Sequence, residues 1–285
     1  MISVVIPALN EGGAIRRTIE EVRAALSATP HEIIVVEDGG NDNTGEQAAA
    51  AGATVIRHAH NLGYGASLKT GIRAAQHDTI VITDADGTYP NGDMPKLLAE
   101  YQRGFNMVVG ARSGDHYRES VVKAPLRVLL KWLVEFTTGR RIPDVNSGLR
   151  VFSRAEALPL LDNLSNTFSF TTSITLAYMM TAKFVGYVSI SYHPRVGRTK
   201  VRLFRDSLRT LQFIVQAILQ YNPLKLFILV CGGQAVIGVL ALLVWWLSYS
   251  PVSFAIAVGS LLSIIPVFCL GLVADLLSRV LAKGR

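Results

Sequence analysis

The chain opens on a short apolar run at residues 2–6 that Pro7 closes, and similar runs recur at 32–36, 54–56 and 79–83. Between them lie helix-like stretches at 13–27, 44–51 and 65–76, the second stopped by Gly52 as a helix C-terminus prefers. Short, nearly continuous apolar strands that alternate with helices predict a parallel sheet covered on both faces. Such sheets bind ligands beyond the carboxyl ends of their strands. Three polar clusters fall at those ends: Asn10-Glu11, Glu37-Asp38 and Asp84-Ala85-Asp86. A nucleotide site there is the leading expectation.

The pattern changes toward the C-terminus. Residues 226–247 and 251–274 contain no charged side chain, and Ser248-Tyr249-Ser250 followed by Pro251 joins the two runs. Each is longer than the roughly 20 residues a helix needs to cross a hydrocarbon core of about 30 Å. The pair predicts a transmembrane hairpin. Lys225 precedes the first span, and Arg279, Lys283 and Arg285 follow the second. The positive-inside rule then puts both ends, and with them the large domain, on the cytoplasmic face of a cell or ER-type membrane. No signal peptide is expected from the strand-like start. Two further segments, 117–138 and 204–222, are amphipathic and basic, as helices lying in a membrane interface are. The expected division is a catalytic domain over 1–203, the juxtamembrane helix over 204–222 and the hairpin over 223–285, with spans at about 225–247 and 252–275.

Composition and charge refine this. Half of the 285 residues are hydrophobic, more than an ordinary soluble domain needs, and the net charge is +7. The excess gathers at Arg195, Arg198, Lys200, Arg202, Arg205 and Arg209, opposed only by Asp206. Next to a membrane hairpin such a cluster suits anionic head groups and phosphates. No interleaved aromatic–basic platform appears, so nucleic acid is not an expected partner. Cys231 and Cys269 both lie in the proposed spans and read as apolar filler.

Asp84-Ala85-Asp86 carries the clearest chemistry. Positions i and i+2 of a strand share a face, so the two carboxylates are expected to converge after the run Ile80-Val81-Ile82. Hard oxygen ligands of this kind suit Mg²⁺ or Mn²⁺, which keep substrate phosphate oxygens in their shell. Glu37-Asp38 closes the second strand, where a carboxylate suits the N–H edge of uracil or guanine. Asn41-Asp42-Asn43-Thr44 is expected to cap the next helix, leaving Asp38 for the base. Gly63-Tyr64-Gly65 lacks the third glycine of a dinucleotide fingerprint, position 68 being Leu68, and reads as a tight turn entering a helix.

Taken in order, the segments Val5-Ile6-Pro7-Ala8-Leu9-Asn10-Glu11, Val35-Val36-Glu37-Asp38-Gly39-Gly40, Thr83-Asp84-Ala85-Asp86-Gly87 and Val109-Gly110-Ala111-Arg112 resemble the family 2 glycosyltransferases. Asp144-Val145-Asn146-Ser147-Gly148-Leu149-Arg150, Arg195-Val196-Gly197-Arg198-Thr199-Lys200 and Asn222-Pro223-Leu224-Lys225-Leu226-Phe227 resemble the dolichyl-phosphate mannose synthase, or polyprenyl-phosphate glycosyltransferase, subgroup. The resemblance implies an α/β, Rossmann-like GT-A nucleotide-sugar domain. It implies inverting transfer of a hexose from a GDP- or UDP-sugar to dolichyl or undecaprenyl phosphate.

By the same resemblance Pro7, Leu9, Glu11, Val36, Glu37 and Asp38 line the nucleotide. Asp84 and Ala85 contact the donor, and Asp86 binds the metal with Asp84. Arg112 and Arg127 approach the diphosphate, the sugar or the acceptor phosphate. Arg195, Arg198 and Lys200, with Ser147, hold phosphate. Asp144 acts as a base or orients Arg150 or a sugar hydroxyl. Two departures stand out. Glu37-Asp38 replaces an Asp pair, and Gly87-Thr88-Tyr89-Pro90 replaces Leu-Gln-His, so Thr88 becomes the candidate further metal ligand. The expected partners are donor, lipid acceptor and membrane lipid, and a homo-oligomer stays open. Two alternatives remain: a non-catalytic scaffold that binds nucleotide sugar, and a hydroxyl-directed family member, for which no Gln-x-x-Arg-Trp segment is found.

Overall fold

The computed structural model describes residues 1–113, 124–193, 211–212, 214–219 and 221–283. They divide into two compact units, Met1–Phe213 and Ile214–Arg285. The elements of the first are β1 (Ile2–Ala8), α1 (Ile15–Ala25), β2 (His31–Glu37), α2 (Thr44–Ala50), β3 (Thr54–Arg57), α3 (Tyr64–Ala74), β4 (Thr79–Ile82), α4 (Met94–Tyr101), β5 (Met107–Ser113), α5 (Ala124–Thr138), β6 (Arg150–Ser153), α6 (Arg154–Ala157), α7 (Phe170–Met180) and β7 (Val185–Ser191).

The strands form one sheet in the order β3-β2-β1-β4-β6-β5-β7. Alternation of side chains splits its core into two layers. Val4, Ile6 and Val81 pack on one face with Ile15, Ile19 and Val22 of α1. Val5, Ile34, Val36, Ile80 and Ile82 pack on the other with Leu68 and Ile72 of α3 and Phe170, Ile174 and Tyr178 of α7. Burial on both faces is why the strands read as unbroken apolar runs.

The expectation of a parallel sheet needs one correction. β6 runs antiparallel to both of its neighbours, with Ile82 opposite Arg150 on β4 and Val109 opposite Arg150 on β5. A strand entering from that end starts where β4 stops. The loop 139–149 that feeds β6 therefore lies beside the carboxyl end of β4, and this reversal brings Asp144 and Ser147 to the same edge as Asp84.

α5 is amphipathic in an unusual way. Leu133, Val134 and Thr137 are buried, while Val128, Trp132 and Phe136, one turn apart, are exposed. The Trp132 and Phe136 rings stack with centroids 5.5 Å apart. One apolar stripe thus packs inward and a second faces solvent.

The second unit contains α8 (Pro223–Ser248), α9 (Pro251–Leu262) and α10 (Ile264–Lys283). α8 has 26 residues, so it is about 39 Å long, enough to cross a bilayer. Tyr249, with φ +52°, and Ser250 turn the chain back. The second apolar helix is interrupted at Ser263. Pro266 has no N–H to give to Leu262, and its ring crowds that carbonyl, while Ser263 and Val267 keep their helical bonds on either side. Only 11% of each most apolar window is buried, which core helices of a soluble protein would not show. The hairpin is therefore long and apolar enough for two membrane spans, and both cysteines are free.

Candidate active site

Four chain segments meet beyond the carboxyl ends of β1, β2 and β4. The turn after β4 carries the acidic pair. β4 ends at Ile82, and only the Thr83 N–H extends the ladder, to the Val5 carbonyl. Asp84 and Asp86 are thus oriented by a turn and not by strand alternation, a correction to the reading from spacing. Asp86 is buried and accepts from the Thr88 N–H at 3.1 Å and the Thr88 hydroxyl at 2.6 Å. Thr88, expected as a metal ligand, is itself fully buried and acts here as the donor that orients Asp86. Asp84 accepts from the Tyr64 hydroxyl at 2.8 Å. Burial first, then the charge of Asp84, raises the Tyr64 pKa, so the phenol stays a donor.

The loop before β6 closes over Asp84. A Cβ on Gly148 would lie 2.8 Å from one Asp84 carboxylate oxygen and 3.0 Å from the other, so only glycine fits this approach. The Gly148 N–H donates to the Tyr89 hydroxyl at 2.6 Å. Arg150, fully buried, donates to the carbonyls of Ser147 and Val145 and to Thr175 of α7, fixing the loop from beneath. Ser147 is buried, and its hydroxyl has no hydrogen-bond partner among the described residues.

Asp144 pairs with Arg112 and not with Arg150. The guanidinium donates in bidentate fashion, Nε to Oδ2 at 2.7 Å and Nη2 to Oδ1 at 3.0 Å, and the Arg112 N–H adds a third bond. Burial alone would raise the Asp144 pKa, but the hydrogen bond and charge of Arg112 outweigh it, and the net shift is downward. Arg112 also lies over the Tyr192 ring at 5.2 Å, and Tyr192 meets Tyr89 edge-on at 5.5 Å.

At the end of β2 the arrangement departs from expectation. Glu37 pairs with Arg57 at 3.0 Å. Asp38 is engaged within the fold. Its carboxylate accepts from the Leu62 and Gly63 N–H groups at 2.9 and 2.8 Å and bonds His58 Nδ1 at 2.8 Å. The Asn41–Thr44 cap is as read, with Asp42 accepting from the Thr44 N–H and hydroxyl. Pro7 and Val36 are partners within the sheet, and the Val36 and Ala85 side chains belong to the core. Leu9 is half-buried, and Glu11 donates its N–H to Thr44 at the same edge. Arg195, Arg198 and Lys200, and the side chain of Arg127, lie outside the described residues. Tyr64, Tyr89, His58 and Tyr192 were not legible as site residues. Each acts through a contact to a distant segment, which no local motif encodes.

No three His, Cys, Asp or Glu side chains gather into a metal cage among the described residues. Mg²⁺ and Mn²⁺ do not need one, since one or two carboxylates suffice when water and diphosphate oxygens complete the octahedron. Asp84 and Asp86, hard donors steadied by hydroxyls that can rotate, fit such an ion.

Residues 3–155 match the family described as Glycosyl transferase family 2. The chain is 35% identical over 254 residues to the low-salt glycan biosynthesis hexosyltransferase Agl6 of Haloferax volcanii, covering 86% of this chain and 59% of that protein. It is 28% identical to an undecaprenyl-phosphate 4-deoxy-4-formamido-L-arabinose transferase of Pseudomonas paraeruginosa, covering 84% and 71%. The fold resembles glucosyl-3-phosphoglycerate synthase from Mycobacterium tuberculosis, solved with Mn²⁺, uridine diphosphate and phosphoglyceric acid. The TM-score is 0.62 at 22% identity, over 76% of this chain and 78% of that one. With its mixed sheet, its acidic turn after β4 and this match over more than half its length, the chain belongs to glycosyl transferase family 2.

Proposed function

We propose that this glycosyltransferase moves a hexose from a nucleotide sugar to a polyprenyl phosphate, with inversion at the anomeric carbon. The observation that carries this reading is the Asp84–Asp86 turn, with Asp84 half-buried and Asp86 buried, at the carboxyl edge of the sheet, in a chain that also holds two helices long enough to span a membrane. The name of the Pseudomonas relative points to a polyprenyl-phosphate acceptor, and that of the Haloferax relative to a hexose.

Asp84 and Asp86 would hold a divalent cation together with the donor diphosphate. That ion would offset the charge that builds on the leaving nucleoside diphosphate. Pro7, Leu9 and Glu11 border the nucleotide side of the cleft. Arg195, Arg198 and Lys200 are assigned to the acceptor phosphate, with Ser147 offering a hydroxyl from the β6 loop. A phosphate monoester is already anionic at neutral pH and needs little general-base help, so alignment and charge compensation carry the catalysis. The Asp144 environment agrees. A carboxylate held as an anion by a bidentate guanidinium is a weak base, far from the pKa that proton abstraction favours. Asp144 therefore orients Arg112 toward the donor, and this favours a phosphate acceptor over a hydroxyl one.

The exposed stripe Val128, Trp132 and Phe136 on α5 supports contact with the membrane interface. Positive charge at both ends of the hairpin supports cytoplasmic termini. The test is transfer of label from GDP- and UDP-sugars into extractable polyprenyl phosphate by the full chain in detergent. Transfer that requires added lipid phosphate and Mn²⁺ or Mg²⁺ is the expected result, and the donor that is used names the base and sugar. Transfer to water-soluble hydroxyl acceptors alone would overturn the reading.

A further inference from the structure

Two buried charged groups that the proposed chemistry does not use, Asp38 after β2 and Lys69 on α3, brace the segments around the start of α3. Asp38, 3% exposed, takes the Leu62 and Gly63 N–H groups and His58. The other ring nitrogen of His58 meets the Thr70 hydroxyl of α3 at 3.0 Å. On the opposite side Lys69, 7% exposed, donates to the Leu164 carbonyl at 2.5 Å and to Asn166 Oδ1 at 2.6 Å. Burial lowers the pKa of this lysine, yet its two acceptors hold it in place. The first brace sets the backbone that enters Tyr64, where Gly63 has φ +106°. The second sets the loop bearing Phe168, whose ring stacks on Tyr64 with centroids 5.4 Å apart and planes 20° apart. Both braces thus converge on one phenol ring, and its hydroxyl ends on Asp84.

We propose that Tyr64 is a positioning residue that fixes the Asp84 carboxylate before cation and donor arrive, and that Asp38–His58 and Lys69 are the braces that present it. The inference rests on the reading of Asp84 and Asp86 as the cation and donor site. A free aspartate turns about two torsions. Here the Tyr64 hydroxyl fixes one oxygen, and the bare Cα of Gly148 closes the space beside both, so one orientation remains. Such pre-set ligands bind an ion without first losing side-chain freedom.

The experiment uses the full chain in detergent with Mn²⁺ titrated against saturating UDP or GDP, whichever raises the wild-type melting temperature. Free Mn²⁺ is read by electron paramagnetic resonance. Tyr64→Phe removes one oxygen and keeps the stacked ring. It should weaken Mn²⁺ binding about tenfold, the scale of a hydrogen bond to a charged group. Its melting temperature should stay within about 2 °C of wild type. The rate at saturating Mn²⁺ should stay within about twofold, so that the loss appears in metal affinity and not in kcat. Phe168→Leu, at a half-exposed position, should give a smaller weakening of about threefold and carries the test if Tyr64→Phe fails to fold. Unchanged Mn²⁺ affinity in a folded Tyr64→Phe, or a loss confined to kcat, overturns the inference. A wild-type chain that binds nucleotide with no dependence on Mn²⁺ overturns the cation reading itself, and the inference with it.

Discussion

The ends of β2 and β4 look alike in sequence, each an apolar strand closing on two carboxylates, yet the fold treats them differently. At β2 the carboxylates meet strong, fixed donors: the Arg57 guanidinium for Glu37, and an imidazole and two backbone amides for Asp38. At β4 Asp86 also takes one backbone amide, that of Thr88, but the side-chain donors described are hydroxyls, from Tyr64 and Thr88. A guanidinium neutralises a carboxylate and a backbone amide cannot turn away. A hydroxyl does neither, and it can rotate to accept while a cation takes the oxygen it had occupied. The described contacts of the first pair hold a loop in place, and the second pair is the one proposed here to take a ligand. The comparison predicts that acidic residues at a strand end mark the candidate edge, while the donors that other segments bring decide which of them takes the ligand.

The sharpest way to break this comparison is to remove one carboxylate from each end. Asp86→Ala should lower sugar transfer by about 10³-fold or more, the scale of losing electrostatic stabilisation in a transition state, with a smaller loss of stability, about 1–2 kcal/mol, from the two Thr88 donors it leaves without an acceptor. Full activity would remove Asp86 from the site. Asp38→Ala should do the reverse. It strips His58 and two amides of their acceptor, a cost of about 2–4 kcal/mol in stability, read by chemical denaturation. Nucleotide binding should persist at a temperature where the variant is folded. If Asp38→Ala stays as stable as wild type and loses nucleotide binding instead, Asp38 serves the base after all.

A third test concerns the pair Asp144–Arg112, which joins the features of both ends: a fully engaged carboxylate close to the reacting centre. Its folded-state pKa lies below the ordinary aspartate value. A depressed pKa contributes stability that is fully present above the unfolded-state value of about 3.9 and is lost as pH falls toward the folded one. The stability difference between wild type and Asp144→Asn should therefore be flat from pH 8 to about pH 5, near 1–3 kcal/mol, and shrink below about pH 4. A difference that changes between pH 6 and 8 would mean that Asp144 titrates there and serves as a base.

Much of this architecture was legible in the chain. The apolar runs located β1, β2 and β4 because strands buried on both faces leave no polar alternation to mislead, and β3, half-buried at the sheet edge, by its short Val55-Ile56 run. Charge-free runs located the hairpin because no soluble core needs two of them in succession. What stayed hidden depends on contacts between distant segments. The reversal of β6 follows from how the loop 139–149 returns, and Arg150-Val151-Phe152-Ser153 carries no mark of direction. The use of Asp38 inside the fold depends on His58, 20 residues away, and on amides that any sequence supplies. The interruption before Pro266 was written in the chain, but the apolar run around it masked its effect. The D-x-D at a strand end that singles out Asp86 is local, although the turn that aims it is not.

The smallest expected effect tests whether the β2 end is structural down to its outer residue. Glu37 is buried but its partner Arg57 is mostly exposed, with 56% of the side chain accessible. Water screens such a pair from one side, and Arg57 has a second carboxylate, Glu46, at 2.5 Å to share its charge. Glu37→Gln keeps the volume and one acceptor oxygen, so the loss should be about 0.5–1 kcal/mol and fall with added salt. Donor binding and transfer should match wild type. A Glu37→Gln variant that is stable yet loses donor affinity by tenfold would bring the β2 carboxylates into the site, and the distinction between the two strand ends would no longer hold.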